Sequence, residues 1–124
     1  MNTIQLINAA TEMLPALRVL VAYVEQGNLE ATLEHRKHVV SPAYTKRFGT
    51  SEFVNASDPR QDGPERLPML VMHIINYSVN MGMETEDPAD RPWIIETSRT
   101  GAREYLQRIE QIVAQAAVEV DAAA

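Results

Sequence analysis

From Leu67 to Met83 the chain reads LPMLVMHIINYSVNMGM and carries no charged side chain; Arg66 precedes the run and Glu84 follows it. A helix on a protein surface normally places Lys, Arg, Glu or Asp where it meets water. Wound as a helix, this run puts His73, Asn76, Tyr77 and Asn80 on one narrow uncharged stripe, at three- and four-residue steps. Nearly everything else in it is Leu, Met, Val or Ile. Such a helix belongs inside something, either its own core or the surface of a partner. Val71, Ile74, Ile75 and Val79 are therefore expected to be almost inaccessible. Pro68 suits the first turn of this helix, and Gly82 marks its end.

Two other regions carry a helical period. Between Thr3 and Gln26, the residues Ile7, Ala10, Leu14, Leu17, Val21 and Val24 form a heptad-like seam, widened by Leu6, Met13 and Leu20. Pro15 lies inside the seam, and the apolar phase continues across it, which predicts a kinked helix. Gly27-Asn28 is a stop followed by a cap. Leu29 to Val40 is a weaker amphipathic helix, with Leu29, Leu33, Arg36 and Val40 on one face, and Ser41-Pro42 is expected to end it. Near the C-terminus, Ala102, Tyr105, Leu106, Ile109, Ile112, Val113, Ala116 and Val120 share a helix face. Thr97 or Ser98 is the expected cap, Gly101 falls in the first turn, and Trp93-Ile94-Ile95 reads as a short apolar return to the core.

Residues 43–64 read as one long irregular loop. Gly49, Ser51, Asn55, Ser57-Asp58-Pro59 and Asp62-Gly63-Pro64 supply turn chemistry. Extended pieces near Tyr44–Phe48 and Glu52–Asn55 could form a short two-stranded element. No run shows sustained period-two alternation. The expected fold is all-α, a single helical domain over 1–124 with four to five helices packed as a bundle.

At 124 residues, with 45% hydrophobic and 23% charged side chains, the chain can bury a core without covalent staples. It has no cysteine, which removes disulfides, thiolate metal sites and thiol nucleophiles. The first residues lack the basic start and small-residue cleavage site of a secretory signal, and Pro68, His73 and two Asn argue against a membrane span at 67–83. The expected location is cytoplasmic. The net charge of −6 argues against a general nucleic-acid binder. That charge is uneven. Arg36, Lys37, Lys46 and Arg47 lie in a stretch without acids, whereas Glu84, Glu86, Asp87 and Asp90 cluster after the central run. The two clusters are expected to be interaction surfaces, meeting each other across a subunit boundary or meeting charged patches on a partner.

The chemistry-bearing candidates are few. The stripe His73, Asn76, Tyr77 and Asn80 could line a pocket, meet a partner through directional hydrogen bonds, or form the wet side of the helix. His35 and His38, three residues apart, could contribute to a metal site, but a third ligand is needed and Arg36 and Lys37 oppose a cation there. There is no glycine-rich phosphate loop, no GxSxG, no HExxH and no EF-hand loop. No cofactor or metal is expected. Arg66 and His73 are separated by six residues. This resembles the Arg-(four to six residues)-His spacing of HEPN-type ribonucleases, small all-helical proteins that often act as dimers. The resemblance covers these two residues. It implies His73 as general acid or base and Arg66 as stabiliser of phosphorane-like charge.

Absent motifs, surplus apolar helix surface and two opposed charge clusters point first to a protein-binding module that also associates with itself. An inhibitor, an adaptor or a structural subunit of a larger assembly, phage-encoded ones included, fits that description. The ribonuclease is the alternative, and a helical protein that binds a small ligand along the polar stripe is the second alternative.

Overall fold

The computed structural model describes residues 1–49, 62–82 and 88–123, and among these the fold is all-α. Helix α1 spans Thr3–Gln26. It opens on a reciprocal cap: the Asn2 side chain accepts from the Gln5 backbone N–H at 2.8 Å, and the Asn2 N–H donates to Gln5 Oε1 at 2.9 Å. Pro15 sits inside the helix without ending it. Gly27 then closes the helix at φ 68°, in the left-handed region, and its N–H reaches the carbonyls of Tyr23 and Val24. Glycine is favoured there by the positive φ, and the Arg99 guanidinium approaches it closely. Asn28 caps α2, Leu29–His35, by accepting from the Ala31 N–H.

The next elements depart from the sequence reading. Ser41-Pro42 does not end the helical path. A π-turn over Arg36–Val40 leads directly into α3, Ser41–Phe48. A proline in a regular helix crowds the carbonyl four residues back and lacks a donor for it. Here the Ser41 N–H bonds to Arg36 O, five residues back, so the coil is widened one residue before the ring. Pro42 then stands at the second residue of α3, with the widened turn behind it relieving the crowding of its ring. The start of the expected 43–64 loop is therefore helical, and Tyr44–Phe48 is not extended. The other half of the expected two-stranded element, Glu52–Asn55, lies outside the described residues. Tyr44 and Phe48 pack ring to ring at 5.6 Å and face the core. Burial pushes the Tyr44 phenol up to about 12, and its hydroxyl has no hydrogen-bond partner among the described residues.

A short 3-10 turn, Pro64–Arg66, feeds α4, Leu67–Met81, with Pro68 in its first turn and Gly82 at its end. Leu67, Leu70, Val71, Ile74 and Met81 are buried to within about 1% and Ile75 to 7%, as the charge-free run requires. Val79 departs from expectation: it is 39% exposed. It lies on the side of α4 that faces α2, and the short α2 covers it incompletely.

A second 3-10 turn, Pro88–Asp90, precedes α5, Arg91–Ala123. This helix starts earlier than the sequence suggests. Pro92 stands in its first turn, so Trp93-Ile94-Ile95 is helical, Thr97 and Ser98 are interior positions and not caps, and Gly101 lies well inside the helix. Trp93 is 69% exposed and does not return to the core, whereas Ser98 is buried.

The core is the contact of α4 with α5 and of α1 with both, and α2 and α3 close over α1. One apolar cluster runs through α1, α3, α4 and α5, with Val40 of the π-turn. By length and hydropathy alone α1 could cross a membrane; 44% of that window is buried in the fold. At 33 residues α5 is more than twice as long as the 15-residue α4, and exposed apolar side chains, Trp93 and Val118, lie near its two ends.

Candidate functional site

Two places bring chemistry-bearing side chains together. The first is the seam between α4 and α5. His73 stacks on Tyr105, with centroids 4.5 Å apart and planes at 22°. Tyr77, one turn further along α4, lies 6.0 Å from the same ring. Arg108 covers Tyr105 from its own helix at 4.8 Å. The Arg108 guanidinium is itself held by Asp62 in a two-bond fork, Nε to Oδ2 and Nη2 to Oδ1, both at 2.6 Å. Gly101 makes the seam close: a Cβ there would fall on the Tyr77 ring. Beside the fork, Asp62, Gly63 and Pro64 face Gln111, Gln115 and Ile112 of α5 across a cleft of about 390 Å³.

The electrostatics follow from this packing. Burial lowers the His73 pKa below the ordinary imidazole value, and the Arg108 charge lowers it further. Burial raises the Tyr77 phenol, with smaller contributions from Tyr105 and Glu104. His73 is thus held neutral in the native state. Unfolding releases it to about 6.5, so below that pH the unfolded chain binds more protons than the native one. Stability contributed by neutral His73 is fully present above about 6.5 and is lost as pH falls toward the lowered native value. In urea titrations between pH 7.5 and 5, wild type should lose more stability than His73→Phe. Equal losses would show that His73 titrates as freely in the native state as in the unfolded chain.

The second place is one end of the bundle. Leu29 and Leu33 of α2, Arg36 of the π-turn, and Ser78, Val79 and Gly82 of α4 line a groove of about 280 Å³. Leu29, Leu33 and Val79 are all exposed, and Val39 is exposed nearby on the π-turn. The first turns of α5 lie at this same end, since Arg99 approaches Gly27, the residue two before Leu29. Trp93 projects from those turns.

The expected site residues are divided between these places. His73 and Tyr77 turn into the α4–α5 seam, while Asn76 and Asn80 stay exposed. Of the basic cluster, Arg36 lines the groove, Lys37 and Lys46 are exposed, and Arg47 binds Glu12 of α1 at 3.0 Å. Arg47 therefore does have an acidic partner, supplied by α1. In the acidic cluster Asp90 is exposed; Glu84, Glu86 and Asp87 lie outside the described residues. His35 and His38 are separated in role: the His35 ring meets Ala16 O at 2.9 Å and Tyr23 edge-on at 5.8 Å, and His38 pairs with Glu34 at 3.1 Å. Among the described residues no group of three metal-ligating side chains occurs. Arg66 is 8% exposed and ends the 3-10 turn before α4, about 10 Å along the chain path from His73.

Tyr105, Arg108, Asp62 and Gly101 were not singled out as site residues from sequence, nor were Trp93 and the groove leucines. The i, i+3 spacing of Tyr105 and Arg108 and the uniqueness of Trp93 are the signals that could have marked them. No protein-family model, curated protein or solved structure matches the chain.

Proposed function

We propose that this protein works by binding another protein, through the end of the bundle that carries the α2–α4 groove and Trp93. One observation supports the reading above all: Leu29, Leu33, Val79 and Trp93, all large and apolar, are exposed together at the same end, whereas Ile4, Val19 and Val118 are exposed singly on α1 and α5. Clustered apolar exposure with a Trp is the composition of the centre of a binding surface, where few residues carry most of the affinity. Arg36 on the groove wall and Lys37 beside it add the charge that sets orientation and association rate. The role is that of an inhibitor, an adaptor or a subunit of a larger assembly.

A photo-crosslinking side chain placed at position 33 or 93 in the full chain, expressed in its native host, tests this. Covalent adducts with protein are expected from both positions and not from 107, an exposed position on the middle of α5. Absence of protein adducts at 33 and 93 would overturn the reading. RNA cleavage by wild type, abolished by His73→Ala and by Arg66→Ala with the fold intact, would replace it with the ribonuclease.

A further inference from the structure

We infer that the partner at this surface is a second copy of the chain, with Trp93 of each protomer seated in the Leu29–Leu33–Val79 groove of the other. The inference rests on the protein-binding reading above and names its occupant. Three observations carry it. The groove, of about 280 Å³, is lined on one side by Leu29, Leu33 and Arg36 and on the other by Val79, Ser78 and Gly82, and is mostly apolar. The knob is the chain's only Trp, and at 69% exposure it does not occupy its own groove. The charges around the two match. Arg36 stands two turns along the Leu29 face and is the charged residue that lines the groove; outside the lining, Lys37 and Glu30 are exposed, and Glu34 is paired with His38. Near Trp93, exposed carboxylates stand three residues before, on Asp90 at the end of the 3-10 turn, and three after, on Glu96 of the same helix face. Arg91 lies among them, and Glu96 has a loose contact of 3.8 Å with Arg99 of its own helix. A Trp with carboxylates beside it meets a leucine groove with Arg36 in its wall.

Reciprocity follows from chain length. Residue 82 at the groove and residue 88 before α5 are joined by six peptide steps, which span at most about 22 Å. His73 against Tyr105 and Tyr77 against Gly101 make α4 and α5 antiparallel, so knob and groove both lie at the Gly82 end of α4. A two-fold axis through that end lets both insertions form at once, the self-complementary arrangement of an isologous dimer.

Because Trp93 is the only indole, its emission reports the contact directly. Sedimentation and fluorescence of the full chain over a range of concentrations should show self-association, with Trp93 emission moving to the blue as the dimer forms. Val79→Lys, which blocks the groove, should weaken association at least about tenfold and leave emission at the monomer position. Trp93→Ser should weaken it similarly, with helical content unchanged in both. Mixing the two variants should restore partial association, since one supplies an intact Trp93 and the other an intact groove. Arg36→Glu should weaken the dimer, and adding Glu96→Arg should recover part of it. A monomer at all concentrations, or a dimer whose Trp93 emission is constant and which tolerates Val79→Lys, would overturn the inference. A monomer that still crosslinks to another protein at 33 and 93 would overturn self-docking alone and leave the protein-binding reading standing.

Discussion

Ile74→Asp should destabilise the fold by at least about 4 kcal/mol, a large share of the usual range of about 5–15 kcal/mol for a folded domain. Ile74 is fully buried in the middle of α4, in the cluster that joins α1, α4 and α5. The substitution removes an aliphatic side chain worth roughly 2–3 kcal/mol of burial. It then places a carboxyl group where α1 and α5 present apolar atoms, a further cost of several kcal/mol whether the group ionises or stays protonated. For a chain of this size each kcal/mol moves the melting temperature by about 3–5 °C, so a drop of roughly 15 °C or loss of the transition is expected. Asn76→Asp, two residues on and exposed, should shift it by no more than about 0.5 kcal/mol. Urea melts of the two variants measure the contrast. Similar effects from both would mean that α4 does not have the inward and outward faces described.

The origin of that contrast was largely legible in the sequence, and so were the devices that act within a few residues. Gly27 and Asn28 stop one helix and start another by local chemistry alone, and Pro68 and Gly82 bound α4 as expected. What was not legible depends on neighbours or on residues far along the chain. Pro42 is a helix breaker by its own sterics, but the π-turn before it removes the clash, and no periodic pattern announces a turn widened by one residue. Pro92 precedes the Trp93-Ile94-Ile95 segment without a local signal for a helix start, yet a proline with no N–H is well suited to the first turn of a helix, and α5 uses it so. The side on which α4 is open was set by the shortness of α2, which leaves Val79 uncovered.

The polar stripe illustrates the same division. Its four residues share a helix face because of their spacing, which sequence supplies. Which of them turn inward depends on Gly101 and Tyr105 of α5, which come more than twenty residues later. Gly101 leaves room for the Tyr77 ring, and Tyr105 offers a flat surface to His73. Asn76 and Asn80 have no such surface among the contacts of the seam and remain exposed. A pattern argument finds the face of one helix. It does not find the partner face, because nothing local links residue 73 to residue 105.

The pairing of Asp62 with Arg108 is the most consequential of these distant contacts, and Asp62→Ala should cost about 3 kcal/mol. The two side chains are 12% and 9% exposed, so the fork is sheltered from water on most sides. Removing the carboxylate leaves a guanidinium with little hydration and without the two bonds at 2.6 Å that balance its charge. Breaking one side of a buried pair costs typically 3–5 kcal/mol for this reason, and partial exposure places the expectation at the lower end. Replacing both partners removes the stranded charge. Asp62→Ala with Arg108→Met should therefore be more stable than Asp62→Ala alone, less about 1 kcal/mol for the lost contact of Arg108 with the Tyr105 ring. A double-mutant cycle in urea measures the coupling, which should exceed about 1.5 kcal/mol and change little with salt, since sheltered pairs are weakly screened. A coupling below about 0.5 kcal/mol would mean that the fork is solvated and contributes as a surface pair does. The same variants have an independent reading in the His73 ring. Arg108 helps to lower its pKa, so removing Asp62, which neutralises Arg108, should lower His73 further, and removing both should let it rise toward its ordinary value. An imidazole titration followed by NMR distinguishes these shifts, which are opposite in sign, and no general loss of stability would produce both.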